Sequence, residues 1–429
     1  MVQKLIELSL RNRFIVLLLA VSLFAWGIYS VKQNPIDAIP DLSENQVIVF
    51  TEWMGRSPQV IEDQVTYPLV SNLQGIPKVK NIRGTSMFGM SFVYVIFEDN
   101  VDVYWARTRV LERLNYAQRL LPPTVTPSLG PDGTGVGHVF WYTIDAKDMD
   151  LGEQRALQDW YVKLALQTVP GVAEVASFGG FEKQYQLVDD PVKLQFYKVS
   201  LMDVMNKVKA NNNDVGGRKF EMSDMAYIIR GLGYVKNKDD LESIAVGNYN
   251  GIPVRVKDIA SVQMGGDLRL GIFDENGMGE KVGGIVVMRY AENADKVITS
   301  IKNKMGDIQK GLPKGVSFNV AYDRSTLIEA SIENIKEKLI EEIAVVCFIV
   351  ILFLFHWRSA LSIIIQIPIT IAVSFILLNA FGVSSNIMSL TGIALAIGVI
   401  VDNGIIMSEN SYRNLSEWQN NPANKPNQS

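Results

Sequence analysis

Apolar positions form unbroken runs at the two ends of the chain and alternate with polar ones in between. Near the N-terminus, residues 14–31 are one apolar stretch behind Lys4, Arg11 and Arg13. Three more such stretches follow at residues 339–355, 360–381 and 387–407. Each approaches the ~20 residues of helix that cross the hydrocarbon core of a bilayer, so the pattern predicts four transmembrane helices. A cleaved signal peptide shares the basic-then-apolar front. Here the run is long, no small-x-small cleavage site follows, and Lys32-Gln33-Asn34-Pro35 leads directly onward, which favours an uncleaved span. The positive-inside tendency places Lys4, Arg11, Arg13, Arg358 and Arg413 in the cytoplasm. Residues 32 to about 338 then lie outside.

The outer region reads as strands alternating with helices. Residues 47–50 are strand-like, and Ser57-Pro58 opens a helix carrying Val60, Ile61, Val65, Leu69 and Val70. Strands at 79–85 and 92–97 follow, joined at Phe88-Gly89, then a helix over 104–121 closed by Pro122-Pro123. A second copy has a strand at 139–144, a helix at 151–167, and a strand pair at 172–177 and 185–188. Ile76-Pro77-Lys78-Val79 and Val169-Pro170-Gly171-Val172 mark the same helix-to-strand corner in each copy. Repetition of a split β-α-β unit is the signature of ferredoxin-like subdomains. A less regular region spans about 193–264, with a hairpin turn at Asn250-Gly251. Strand 282–290, a helix to 310 and strand 316–322 read as a further unit. The fold class is thus an α+β membrane protein. Residues 1–33 are the cytoplasmic start and first span, 34–335 the outer region with an insertion at about 190–265. Residues 336–409 are spans two to four, and 410–429 a polar cytoplasmic tail.

Charge and rare residues narrow the chemistry. The 429 residues carry a net charge of −4, so no basic surface argues for nucleic acid as a partner. Cys347 is the single cysteine, and His138 and His356 are the two histidines. That excludes a disulfide framework and a Cys-rich metal site, and argues against a His-rich zinc site. No nucleophile–base set or phosphate-binding loop is present, which argues against an enzyme.

The last apolar run holds the informative residues. Asp402 lies four positions past Gly398, well inside the run, and Glu409 lies two helical turns further on the same face. Met388, Leu395, Asp402 and Glu409 form one stripe, with Gly398 and Gly404 allowing another helix close approach. A carboxyl at membrane depth is costly and rarely idle, and it can exchange a proton between conformations. Two plainer roles stand beside this one. Glu409 can be an interfacial residue, and Asp402 can cap or pair with a neighbouring helix.

These residues sit among fragments that strongly resemble one family over nearly the whole chain. They include Asn34-Pro35-Ile36-Asp37-Ala38-Ile39-Pro40-Asp41-Leu42-Ser43, Gln64-Val65-Thr66-Tyr67-Pro68-Leu69 and Tyr94-Val95-Ile96-Phe97-Glu98-Asp99. Others are Gly130-Pro131-Asp132-Gly133-Thr134-Gly135-Val136-Gly137, Tyr322-Asp323-Arg324-Ser325, His356-Trp357-Arg358-Ser359-Ala360-Leu361 and Asn386-Ile387-Met388-Ser389-Leu390. In this order they resemble the N-terminal half of heavy-metal efflux pumps of the resistance-nodulation-division superfamily, closest to the copper/silver branch.

The resemblance implies a homotrimeric pump of the bacterial inner membrane with a periplasmic porter and docking domain. It also implies a periplasmic adaptor protein and an outer-membrane channel as partners in a tripartite complex. Such a pump takes Cu(I) or Ag(I) from periplasm or cytoplasm in exchange for protons and needs no resident cofactor. Asp402 matches the proton-relay aspartate, and Glu409 and Asn410 match the pair that closes its motif. The divalent-cation branch has a further aspartate where Ala396 stands here, which favours the monovalent branch. Met388 and Met407 match methionines of a relay route for the metal, whose thioethers suit soft ions. Ile400 and Leu268 stand where that branch has methionines, and Met264 lies four positions before Leu268. Methionine in an apolar helix is also ordinary packing.

Members of the family continue into a second half that holds the main metal site, the relay lysine and the other side of the cleft. The resemblance therefore leads us to expect a separate chain or a truncated gene, and no transport by this chain alone. Within residues 35–335 the sequence suggests no cluster of soft ligands sufficient for a three-coordinate site. Two alternatives remain at this point. One is a zinc, cobalt or nickel exporter, and the other is a membrane-anchored binding or sensory module.

Overall fold

The computed structural model describes residues 7–9, 11–222, 225–269, 271–354 and 357–420. Strand β1 (Gln46–Glu52) buries Val47, Val49 and Thr51 on one face, as its alternating pattern requires. Helix α2 follows in three stretches: Pro58–Ile61, a π-helical turn Glu62–Thr66, and Tyr67–Leu73. Ser57 caps it by accepting from Val60 N–H, and Pro58 sits where no amide donor is needed. Strands β2 (Val79–Met87) and β3 (Met90–Phe97), helix α3 (Val103–Ala117) and strand β4 (Pro127–Leu129) complete the unit. The sheet is antiparallel with order β2-β3-β1-β4. Ile61, Val65, Leu69, Leu73, Val110 and Leu114 pack both helices on one face.

The second unit repeats this connectivity. Strand β5 (Gly133–Ala146) leads to helix α4, formed by Leu151–Leu157, a second π-helical turn Gln158–Val162, and Lys163–Gln167. Strand β6 is Val172–Phe178. The unit closes with β13 (Val282–Arg289), α9 (Ala294–Gly311) and β14 (Val316–Asp323), in sheet order β14-β5-β13-β6. In both sheets the first strand of the unit lies between its third and fourth. Val139, Phe140, Tyr142 and Ile144 meet Ile298, Ile301 and Leu166 in the core.

Two expectations fail here for one physical reason. Strand 282–290, its helix and strand 316–322 are not a further unit, since they complete the second. The segment expected to pair with β6 instead forms β7 (Lys183–Asp189), which pairs with β12 (Ala260–Gly266). The free edge of β6 is taken by β13, while Gly179 and Gly180, both at positive φ, turn the chain out of the sheet. The excursion leaves at Gly179 and returns beside Lys281, wider than residues 190–265. It contains α5 (Pro191–Tyr197), α6 (Leu201–Asn211), the β8–β9 hairpin (Val215–Met222 and Met225–Gly231), α7 (Lys238–Ser243), β10 (Ala245–Tyr249), β11 (Ile252–Arg255) and α8 (Val256–Ile259). Its own core is built from Val204, Leu241, Val246, Val254, Ile259 and Val262. Asn250 and Gly251 make the expected turn between β10 and β11, both at positive φ.

The apolar helices are α1 (Arg13–Gln33), α10 (Arg324–Leu354), α11 (Trp357–Ala380) and α12 (Ile387–Asn420). Among the described residues two stretches are long and apolar enough to cross a membrane, Arg13–Gln33 and Ile387–Trp418, and Ile365–Ala380 is a shorter apolar helix. The expected span at 339–355 falls within α10, but Phe355 and the turn residue His356 lie outside the described residues. Phe14, Leu18, Val21 and Trp26 are exposed along α1, as on a helix that meets lipid. It packs closely on α11 at Gly27, where a Cβ would overlap Ala372. Helix α12 continues through Asn420, so the expected tail is helical over 410–420, and residues 421–429 lie outside the described residues.

The repeated corner exposes a difference between the copies. Lys78 and Gly171 both take a left-handed backbone, with φ of 64° and 85°. A Cβ on Gly171 would also stand 2.6 Å from Val297 Cγ2. Gly171→Ala therefore combines an unfavourable φ with a clash. It should cost about 1–3 kcal/mol, seen as a lower thermal midpoint of the detergent-purified chain.

Candidate functional site

Helix α12 begins at a polar knot. Asn386 is buried, its Oδ1 accepts from Ser389 N–H at 3.0 Å, and its own N–H donates to Ser389 Oγ at 2.9 Å. This reciprocal cap satisfies amide donors that the first turn leaves open. Beyond it the helix turns Ile397 inward. Met388, Leu395, Asp402 and Glu409, spaced by seven, are all exposed on the opposite side, together with Val399 and Ile406.

The structure thus brings five of the six candidates onto one helix and leaves the sixth elsewhere. Asp402 and Glu409 share the outward stripe, and among the described residues neither forms a salt bridge. The Asn410 side chain accepts from Asn414 Nδ2 at 3.2 Å. Met407 is 60% exposed, and its carbonyl accepts from Ser411 Oγ at 2.7 Å. Met264 is on β12, opposite Tyr185 of β7 in the inserted region. Among the described residues, no group of three or more His, Cys, Asp and Glu could hold a metal. Any metal held here would have to use other ligands, of which thioethers are the soft choice.

The stripe is anchored to the outer region through a buried junction that sequence reasoning missed. The end of α1 reaches the start of α12 through Asn34 Nδ2, which donates to Ser385 Oγ at 2.8 Å with both residues buried. Ser385 N–H donates to Pro35 O at 2.9 Å, Asp37 N–H to Ser385 O at 3.1 Å, and Ile387 N–H to Ala38 O at 3.3 Å. Arg324, the first residue of α10, then closes the knot. Its Nε lies 3.4 Å from Asp37 Oδ1, and its Nη1 donates to Val136 O of β5 at 2.5 Å. The side chains are only 4% and 15% exposed for Arg324 and Asp37. Burial pushes the Asp37 carboxyl above the usual carboxylate range, and the adjacent Arg324 guanidinium offsets that only in part. The sequence signal was weak, since Asp37 and Arg324 each stand among other charged residues, such as Asp41 and Asp323. Their pairing depends on tertiary contact, which spacing does not show.

Known proteins share this architecture. The model of the AcrB/AcrD/AcrF family matches residues 5–429. The chain is 46% identical to the cation efflux system protein CusA of Escherichia coli K12, over 98% of its own length and 40% of that protein. It is 45% identical to the putative cation efflux system protein SilA of Salmonella typhimurium, over 97% and 40%. The cobalt-zinc-cadmium resistance protein CzcA of Cupriavidus metallidurans is 36% identical, over 98% and 40%. A crystal structure of a heavy metal efflux pump superposes with a TM-score of 0.85 at 33% identity, covering 96% of this chain and 41% of that one. The chain therefore spans about 40% of the length of the curated relatives it matches.

Breaking the buried pair from one side strands a charge. Arg324→Met should cost about 3–5 kcal/mol, measured as the denaturation midpoint of the purified chain at neutral pH. The pH dependence follows from the raised Asp37 value. A carboxyl whose folded pKa is raised gives stability that is full below its unfolded value and is lost as pH rises through the folded one. Without Arg324 this loss is larger, so the variant's deficit should shrink as pH falls from neutral toward 5.

Proposed function

The chain belongs to the AcrB/AcrD/AcrF family of resistance-nodulation-division transporters, and from that premise we propose that it forms the N-terminal part of a proton-driven exporter of Cu(I) or Ag(I). The family is one of membrane transporters, not catalytic enzymes. The observation that carries the proton coupling is Asp402 and Glu409 in register along an apolar helix of membrane-spanning length. Carboxyls placed there can be charged on one face of the membrane and neutral on the other, which makes protonation a switch between conformations. Asn410 would hold the end of the motif by hydrogen bonding.

The finer architecture belongs to the same proposal. Helices α1, α10, α11 and α12 are four spans of a bacterial inner membrane, and the two β-α-β-β-α-β units are ferredoxin-like porter subdomains in the periplasm. The excursion between β6 and β13 is the docking subdomain. The working assembly is a homotrimer containing the counterpart of the relatives' remaining length, joined to a periplasmic adaptor and an outer-membrane channel. Three features support a soft monovalent ion over Zn(II) or Co(II). Ala396 places no second carboxyl before Asp402, Met388 and Met407 offer thioethers, and identity is higher to CusA than to CzcA. Met264, exposed on β12, is the candidate ligand of the outer region.

Expression of the complete system in a metal-sensitive host should raise tolerance to copper and silver and leave zinc and cobalt tolerance unchanged. Asp402→Asn should abolish that gain while the protein stays assembled in the membrane at wild-type levels. A zinc or cobalt phenotype alone would transfer the chain to the divalent reading. Full tolerance in the Asp402→Asn strain would remove the relay role.

A further inference from the structure

Strand register gathers three methionines, two from one hairpin and one from just past the end of an earlier strand. Strands β2 and β3 are joined by the two-residue turn Phe88-Gly89, so Met87 and Met90 face each other as the last pair of the hairpin. Cross-strand partners point to the same side, with Cβ atoms about 4.5–5.5 Å apart. The end of β1 folds around this turn. Trp53 N–H donates to Gly89 O at 2.8 Å, and Gly89 N–H donates to Arg56 O at 3.0 Å. Met54 is thereby laid against the turn, its Sδ 3.0 Å from where a Gly89 Cβ would stand. The sequence suggested no such grouping of soft ligands within 35–335, and the pairing of β1 with β3 is what supplies it.

The chemistry around the rim is one-sided. Ser86 and Ser91 pair across the hairpin and turn to the helix side, where both meet Thr66. Alternation puts Met87 and Met90 on the other face, with Glu52, the register partner of Met90, beside them. Arg56 is engaged with the Trp53 ring at 4.7 Å. Met54 is 47% and Met87 50% exposed, and Met90 is half-buried. Methionines serving only to fill a core would be covered, whereas Met54 and Met87 are about half exposed.

We propose that Met54, Met87 and Met90 form a thioether site for a soft monovalent cation, Cu(I) or Ag(I), on the rim of the first sheet. Three neutral, polarisable sulfurs on flexible stems can converge on such an ion, and the Glu52 carboxylate offsets its charge. Hard divalent ions prefer several oxygens, whereas strand register sets Glu52 beside Met87 and Met90 and Glu62 is turned to the helix side, held by Ser86. The site goes beyond the export reading, since it concerns binding at a surface apart from α12.

The test uses the full chain in detergent with 13C-methyl methionine, titrated with silver nitrate. The Met54, Met87 and Met90 methyl resonances, assigned by single Leu substitutions, should shift together and saturate at one ion. Met54→Leu or Met87→Leu should weaken that event at least tenfold while the thermal midpoint stays unchanged. Zinc sulfate at the same concentration should leave the three resonances in place. The proposal is overturned if they stay still under silver, or move only where the exposed Met278 also moves. The readout is blind to transport, so its failure would leave the export reading standing, and failed export would leave this site standing.

Discussion

The buried Asp37–Arg324 pair is the interaction on which the rest of the arrangement depends. Arg324 opens α10 directly after β14, and Asp37 lies just past the end of α1, after Asn34-Pro35-Ile36. By also holding Val136 at the head of β5, Arg324 ties the second sheet to the exits of two apolar helices. Ser385 adds the entry of α12 through backbone bonds to Pro35 and Asp37. A buried ion pair is weak grounds for net stability, because desolvation offsets most of its attraction. Its worth here is geometric, since one guanidinium holds both Asp37 and the Val136 carbonyl. The helix that carries Asp402 is therefore registered to the sheet that carries the inserted region.

Much of the fold was legible because its units obey local rules. Alternating Val47 and Val49, the Ser57-Pro58 helix start, and the Asn250-Gly251 turn each state their structure within a few residues. The Pro77 and Pro170 corners went further and announced that the chain repeats itself. What local rules could not state was partnership. The β7 segment has strand composition, but nothing in it specifies β12 over β6. That choice is made by two positive-φ glycines and by β13, which arrives about a hundred residues later to take the open edge. The same return of the chain assigns β13, α9 and β14 to the second unit.

The candidate site divides along the same line. Asp402 could be read directly, because one charge inside an apolar run is conspicuous wherever the helix packs. Glu409 and Met388 followed from helical periodicity, and Asn410 from the resemblance to the pump family. Asp37 and Arg324 stood in the sequence beside other charges, Asp41 and Asp323, and only the tertiary contact made them a pair. The approach of Met54 to the hairpin of Met87 and Met90 was less legible, since the sequence marked the Phe88-Gly89 turn but not the register of β1 against β3. The residues that sequence reasoning recovers are those whose chemistry contradicts their immediate surroundings. Those it misses become chemical only through their neighbours in space.

The central claim is that Asp402 couples proton movement to export of a soft metal ion. Its most direct test is a proton-flux measurement on liposomes holding the complete assembly, with a pH-sensitive dye inside and silver supplied on the loading side. The account predicts proton flux that starts on silver addition, is absent with zinc, and disappears when Asp402 is replaced by Asn. Silver-driven flux of equal size with the Asn variant, or none with the unaltered protein while it still moves silver, would contradict it.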